Sequence, residues 1–115
     1  MSALPTTLRL AAAICLSIQL PAAFAGDHTG KVVQIITRAS DGLHYFYLDG
    51  SGSNKPACAR YGYWMIKSEA SQTGKDQFAM ILSAMATGQT VKVSGANTCT
   101  RWSDGEDVDG ISIAK

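Results

Sequence analysis

Between Thr73 and Gly88 the hydrophobic period of this chain changes, and it changes only once. Phe78, Ile81, Leu82 and Met85 recur at helical spacing, whereas the segments on either side alternate with a period near two. Thr73 with Asp76 three residues on predicts a capped start, and Gly88 predicts a left-handed stop. A single helix must find its core on strands, and three are predicted before it. Residues 30–38 (GKVVQIITR) place β-branched side chains on both faces. Asp41-Gly42 is a turn signal, so 43–49 (LHYFYLD) closes a hairpin. The Gly/Ser-rich stretch 50–56 is a loop by composition, and 57–66 (ACARYGYWMI) reads as a third strand bent at Gly62. Two strands follow the helix, 90–95 and 110–114, separated by a polar, acidic loop over 97–109. The expectation is a mainly β domain with one helix, in the order β-β-β-α-β-β. That is the order of an OB-fold, a five-stranded Greek-key barrel. A split α+β sheet shares it.

The first 25 residues predict an address. Arg9 sits in a short polar region, Leu10–Leu20 is apolar, and Ala23-Phe24-Ala25 offers the small-x-small pattern that a signal peptidase needs. The apolar run is too short to span a bilayer. Cleavage is expected after Ala25, leaving residues 26–115 as a single exported domain, periplasmic or secreted. Cys15 leaves with the leader. Cys58 and Cys99 then remain in an oxidising compartment, where two thiols of a small domain pair most simply with each other. Such a bridge is worth roughly 4 kcal/mol in the chain-entropy model.

Charge narrows the partners. The whole chain has 10 Lys/Arg against 9 Asp/Glu, and loss of Arg9 brings the two signs into balance. With no basic stripe, a nucleic acid held through its phosphates is not expected. Neither a polybasic segment nor a second apolar span points to a membrane. His28 and His44 are the only histidines, and the cysteines lack a CxxC partner, so no metal site or cofactor is implied. Asp104, Glu106, Asp107 and Asp109 lack the ligand spacing of an EF-hand loop and read as a solvated acidic loop. His28 falls next to the cleavage site, in an end expected to be flexible. No nucleophile motif or phosphate loop is visible, and an enzyme is not expected.

Two surface features invite a binding role. Between Asp76 and Lys92 no Asp, Glu, Lys or Arg occurs, and the helix face opposite Phe78, Ile81, Leu82 and Met85 holds Gln77, Ala79, Met80, Ser83, Ala84 and Ala86. A face so small and uncharged suits a subunit interface, although the protein's own loops can cover such a face too. Tyr61, Tyr63 and Trp64, with Tyr45, Tyr47 and Trp102, concentrate aromatic rings on two strands and one loop. Core packing is the commoner fate of such rings, and sugar or protein contact the alternative. Trp102 is expected to plug the barrel end rather than lie exposed.

At Thr29-Gly30-Lys31-Val32-Val33, Tyr45-Phe46 through Asp49-Gly50, Ala57-Cys58 and Thr87-Gly88-Gln89-Thr90-Val91, the chain resembles the B subunit of subtilase cytotoxin and its pertussis-like relatives. The short matches are scattered over residues 29–95. The resemblance implies a secreted OB-fold that assembles as a pentameric ring, here through helix 73–87, and binds sialylated glycans or a cell-surface receptor. By position, Thr29 stands where the family has a sugar-contacting serine. Asp49 stands near an acidic residue that helps hold the glycan, and Tyr45 is the nearby aromatic. Two departures matter. Tyr47 replaces a cysteine of the family's second strand, so the bridge is drawn from Cys58 to Cys99, and the family's longer C-terminal part has no counterpart after Gly95. The other expectation is a monomeric exported OB-fold domain that binds a protein or a small ligand.

Overall fold

The computed structural model describes residues 24–115, with Ala3 and residues 14–17; the rest of the expected leader lies outside the described residues. Among the described residues, five strands and one helix run in the order β1 (Asp27–Thr37), β2 (His44–Leu48), β3 (Trp64–Met65), α1 (Gln72–Thr87), β4 (Thr90–Gly95) and β5 (Glu106–Ile113). β1 is long enough to serve two neighbours. Its first half pairs with β4, from Asp27↔Ser94 to Lys31↔Thr90, and its second half with β2, from Val32↔Leu48 to Thr37↔His44. A bulge between Val32 and Gln34 marks the changeover, where the strand must bend to close the sheet. β3 joins β2 antiparallel and β5 in parallel, through Trp64↔Glu106 and Met65↔Asp107. β5 then returns along β4. The strands close as β1-β2-β3-β5-β4, the expected OB-fold barrel with its helix between the third and fourth strands.

Alternation along the strands sorts the side chains into two apolar clusters. Phe46, Leu48, Trp64, Val91, Val93 and Val108 fill the barrel, and Ile81 and Ala84 of α1 close its end. Leu43, Tyr63 and Met65 form a second cluster outside the barrel wall, with Tyr45 and Tyr47 packed against it. Cys58 and Cys99 are bridged as expected, with Cα atoms 6.2 Å apart.

Several boundaries differ from expectation, each for a local reason. β1 begins at Asp27, and His28 is buried within it rather than loose at a free end. β3 is only two residues long, because residues 56–60 fold into turns in which Ala59 N–H donates to the Pro56 carbonyl and Arg60 N–H to that of Cys58. The helix is capped by Ser71, not Thr73: the Ser71 hydroxyl accepts the Gly74 N–H at 3.0 Å. Gly88 ends it as predicted, at φ 68°, where a side chain would be strained.

Two corrections carry functional weight. The buried face of α1 is Gly74, Gln77, Ile81 and Ala84, so two residues expected to face outward lie against the barrel. Leu82 and Met85, expected inside, are 47% exposed. The reason is polar as much as apolar: Gln77 Nε2 donates to the Asp109 carbonyl at 2.9 Å, which turns that side of the helix onto β5. The acidic segment is likewise not a solvated loop throughout. β5 starts at Glu106, and Glu106 and Asp107 are fully buried.

Candidate functional site

On β2 the inward positions are Phe46 and Leu48, which leaves Tyr45 and Tyr47 on the outer wall. On the neighbouring segment Trp64 enters the barrel while Tyr63 and Met65 stay outside. The outer wall therefore carries a set of rings. Tyr63 is its centre, 5.1 Å from the Tyr45 ring, 5.8 Å from Tyr47 and 6.1 Å from Tyr61, the last pair stacked within 8° of parallel. These are favourable aromatic separations. Together with Arg38, Trp102 and Asp104 they line a cleft of about 290 Å³. Tyr61 is 58% and Trp102 38% exposed, so both rings offer faces to an incoming molecule. Trp102 thus does not plug the barrel end. It lies on the rim, with the Arg38 guanidinium 4.9 Å from its ring centre.

The cleft is polar at two points. Arg38 is ion-paired to Asp41 three residues on, and that hydrogen bond holds the Asp41 carboxyl below its ordinary range. Asp104 Oδ1 is shut from solvent and accepts no hydrogen bond from the described residues. Closed off from solvent, that oxygen is not itself offered to a ligand, and Asp104 contributes its charge to the cleft lining. A second depression, lined by Ala57, Cys58, Arg60 and Ser103, shares Tyr61 and Asp104 with the cleft.

The loop that supplies Trp102 and Asp104 is held rigidly. Asp107 reaches back into it, its Oδ2 accepting from the Thr98 hydroxyl at 2.7 Å, the Thr100 hydroxyl at 2.6 Å and the Thr100 N–H at 2.9 Å. Oδ1 accepts the Arg101 N–H at 3.1 Å. Burial opposes ionisation of this carboxyl, but the hydrogen bonds from Thr100, Thr98 and Arg101 outweigh it and hold it below the usual carboxylate range. Arg101 in turn ties the loop to its surroundings: Nε lies 2.9 Å from Glu69 Oε1, and a terminal nitrogen donates to the Asp41 carbonyl at 2.9 Å. The Cys58–Cys99 bridge anchors the same loop to the segment before Tyr61.

Of the three residues singled out from sequence, Tyr45 lines the cleft and Thr29 and Asp49 do not. Thr29 is exposed on β1 opposite Lys92. Asp49 packs against the next residue, Gly30, and its Oδ1 accepts the Lys31 N–H at 2.7 Å. Thr29 and Asp49 so share one end of the sheet. Tyr45 stands four residues back along the chain from Asp49, about 13 Å at strand rise. Arg38 and Asp104 were not singled out as site residues by the sequence. The legible signal was the spacing of Tyr45, Tyr47, Tyr61 and Tyr63, each separated by one residue from its partner on the same face. Among the described residues no group of three or more His, Cys, Asp or Glu side chains is placed to hold a metal ion, and no helix is long and apolar enough to cross a membrane. No protein-family model, curated protein or solved structure matches the chain.

Proposed function

We propose that this chain is an exported, non-enzymatic binding module whose aromatic cleft receives a glycan. The observation that carries the reading is the pair of exposed ring faces, Tyr61 and Trp102, in a cleft whose lining also carries the charged side chains of Arg38 and Asp104. Rings take the apolar face of a sugar, and a carboxylate takes its hydroxyl hydrogens. The position agrees with OB-fold practice, in which the face of the second and third strands and the loops beside it bind oligosaccharides. Thr29 and Asp49 offer a second hydroxyl and carboxylate farther along the sheet, within the span of a longer glycan. The leader pattern and the Cys58–Cys99 bridge support an exported setting, periplasmic or secreted.

A cleft of this size is at the small end of ligand sites and implies weak binding at a single site. Assembly into a ring, as in the toxin B subunits the chain resembles, raises the affinity by avidity. The surface we assign to that assembly is the exposed stripe of α1 at Leu82 and Met85. A second reading, a monomeric domain whose cleft grips a protein, is favoured by the Arg38–Trp102 stack, since Arg, Tyr and Trp dominate protein hot spots. Light scattering on the processed protein, followed by a glycan array, separates the two: an oligomer that retains sugars supports the first, and a monomer that retains none supports the second.

A further inference from the structure

Glu106, the first residue of β5, is fully buried. Its Oε2 accepts two backbone N–H groups, from Gly26 and from Asn97, each at 3.0 Å. Its Oε1 is equally shut from water and accepts no hydrogen bond from the described residues. Lys55 acts on Glu106 through space but makes no hydrogen bond to it: its Nζ lies 3.3 Å from the Tyr63 carbonyl and 4.0 Å above the centre of the Trp64 ring. A carboxylate this dry, half of it unpartnered, is costly unless a cation meets it.

The group beside it is the backbone of Gly26. A Cβ on Gly26 would fall 2.3 Å from Glu106 Oε1, and one on Gly95 would fall 1.8 Å from Oε2. The two glycines, joined by a hydrogen bond from Gly95 N–H to the Gly26 carbonyl at 2.8 Å, form the walls of the carboxylate's seat. Gly26 is buried, while Phe24 and Ala25 before it are exposed, so the chain enters the core at this residue. It is also the residue that follows the Ala23-Phe24-Ala25 cleavage pattern.

We propose that the α-ammonium of Gly26, created when the leader is removed, is the counter-ion of Glu106. The inference rests on the reading of residues 1–25 as a leader and is independent of the sugar site. Hydrolysis of the Ala25–Gly26 bond consumes one water: Ala25 leaves as a carboxylate, and Gly26 keeps its nitrogen as an amine, which takes up a proton near neutral pH. One N–H of the new ammonium stays on Oε2, and another is free to reach Oε1, where the uncut amide has no hydrogen left to give. Processing thereby converts an incompletely satisfied buried carboxylate into an ion pair. The folded barrel is completed by the cut.

The barrel's five strands, helix α1, both apolar clusters and the disulfide lie within residues 26–115, so the processed chain contains the barrel as described. The full chain is exported from a secreting host, and intact mass with N-terminal sequencing must give Gly26 as the first residue; any other start overturns the proposal. The processed chain is then compared with one that keeps Ala25, each with Glu106 and with Glu106→Gln. The structure accommodates Ala25, so the comparison reads charge and not fit. Retaining Ala25 is expected to lower the melting temperature by on the order of 10 °C with Glu106 present, and to leave it unchanged with Gln. An equal drop in both backgrounds, or none in either, overturns it. Should Glu106→Gln not fold, an amine-reactive ester decides on the wild type alone. The Gly26 amine must react at least about tenfold more slowly in the folded than in the unfolded chain, and equal rates overturn the ion pair.

Discussion

The indole N–H of Trp64 donates to Nδ1 of His28 at 3.1 Å, and Nε2 of the same ring lies 2.7 Å from the Asp49 carbonyl. The first bond fixes Nδ1 as the acceptor, so the neutral ring carries its hydrogen on Nε2 and donates it to Asp49. One imidazole thereby links β1 to the barrel's largest core ring and to the end of β2. His28→Ala leaves a buried indole N–H without a partner, at a cost of about 1–3 kcal/mol. Urea unfolding measures it, and an unchanged midpoint would show that the bond carries no weight.

The Asp107 clamp predicts a loss of loop order in acid. Its folded carboxyl is held below the ordinary value of 3.8, so its contribution is complete above that value and is lost as pH falls through the folded one. Trp102 fluorescence and thermal melts recorded from pH 6 down to pH 2 follow the loss, which sets in below about pH 4. Asp107→Asn, which replaces an acceptor with an amide facing the Thr98 and Thr100 donors, destabilises the protein at neutral pH and flattens that part of the acid profile. An unaltered profile contradicts the clamp.

Cys99→Ser opens the bridge that holds the Trp102 loop to the Tyr61 segment. The expected loss is up to about 4 kcal/mol by denaturant unfolding. Comparison of intact mass with and without reduction checks the bridge itself, and two free thiols in natively exported protein contradict it.

The architecture was legible because it depends on periodicity. One helical run between alternating segments allows few topologies, and the element order was right from 30–38 through 110–114. What escaped was decided by single polar contacts. Gln77 rotates the helix by its bond to Asp109, which hydrophobic spacing cannot reveal, since Leu82 and Met85 satisfy the same period from the solvent side. Glu106 and Asp107 are buried against backbone N–H groups that come from Gly26 and from residues 97–101, and composition gave no hint of those partners. The cleft was half visible. Tyr45 was named, but the rim at Arg38, Trp102 and Asp104 is assembled only when two separate loops fold onto β2.

The exposed stripe of α1 yields a contrast. Leu82→Glu and Met85→Lys place charges on a solvent-facing side, so each shifts an assembled protein to monomer while costing the fold only about 0.5 kcal/mol. Ala84→Glu instead drives a carboxylate into the barrel, where Ala84 is 1% exposed, and unfolds the domain. Light scattering with melting curves distinguishes the two classes. If Leu82→Glu leaves the mass of an oligomer unchanged, the interface lies elsewhere.

A glycan array probed with the processed, multimeric protein shows whether the ring-lined cleft holds a sugar. Tyr61→Ala and Trp102→Ala remove exposed rings that the core does not need, so both variants stay folded, while binding falls by about fivefold to a hundredfold for each stacking contact of about 1–3 kcal/mol lost. Thr29→Ala, beyond the cleft, weakens only the longer glycans. The expected result is array hits that both ring variants weaken or lose. An array without hits, or hits that both substitutions leave unchanged, contradicts the sugar site.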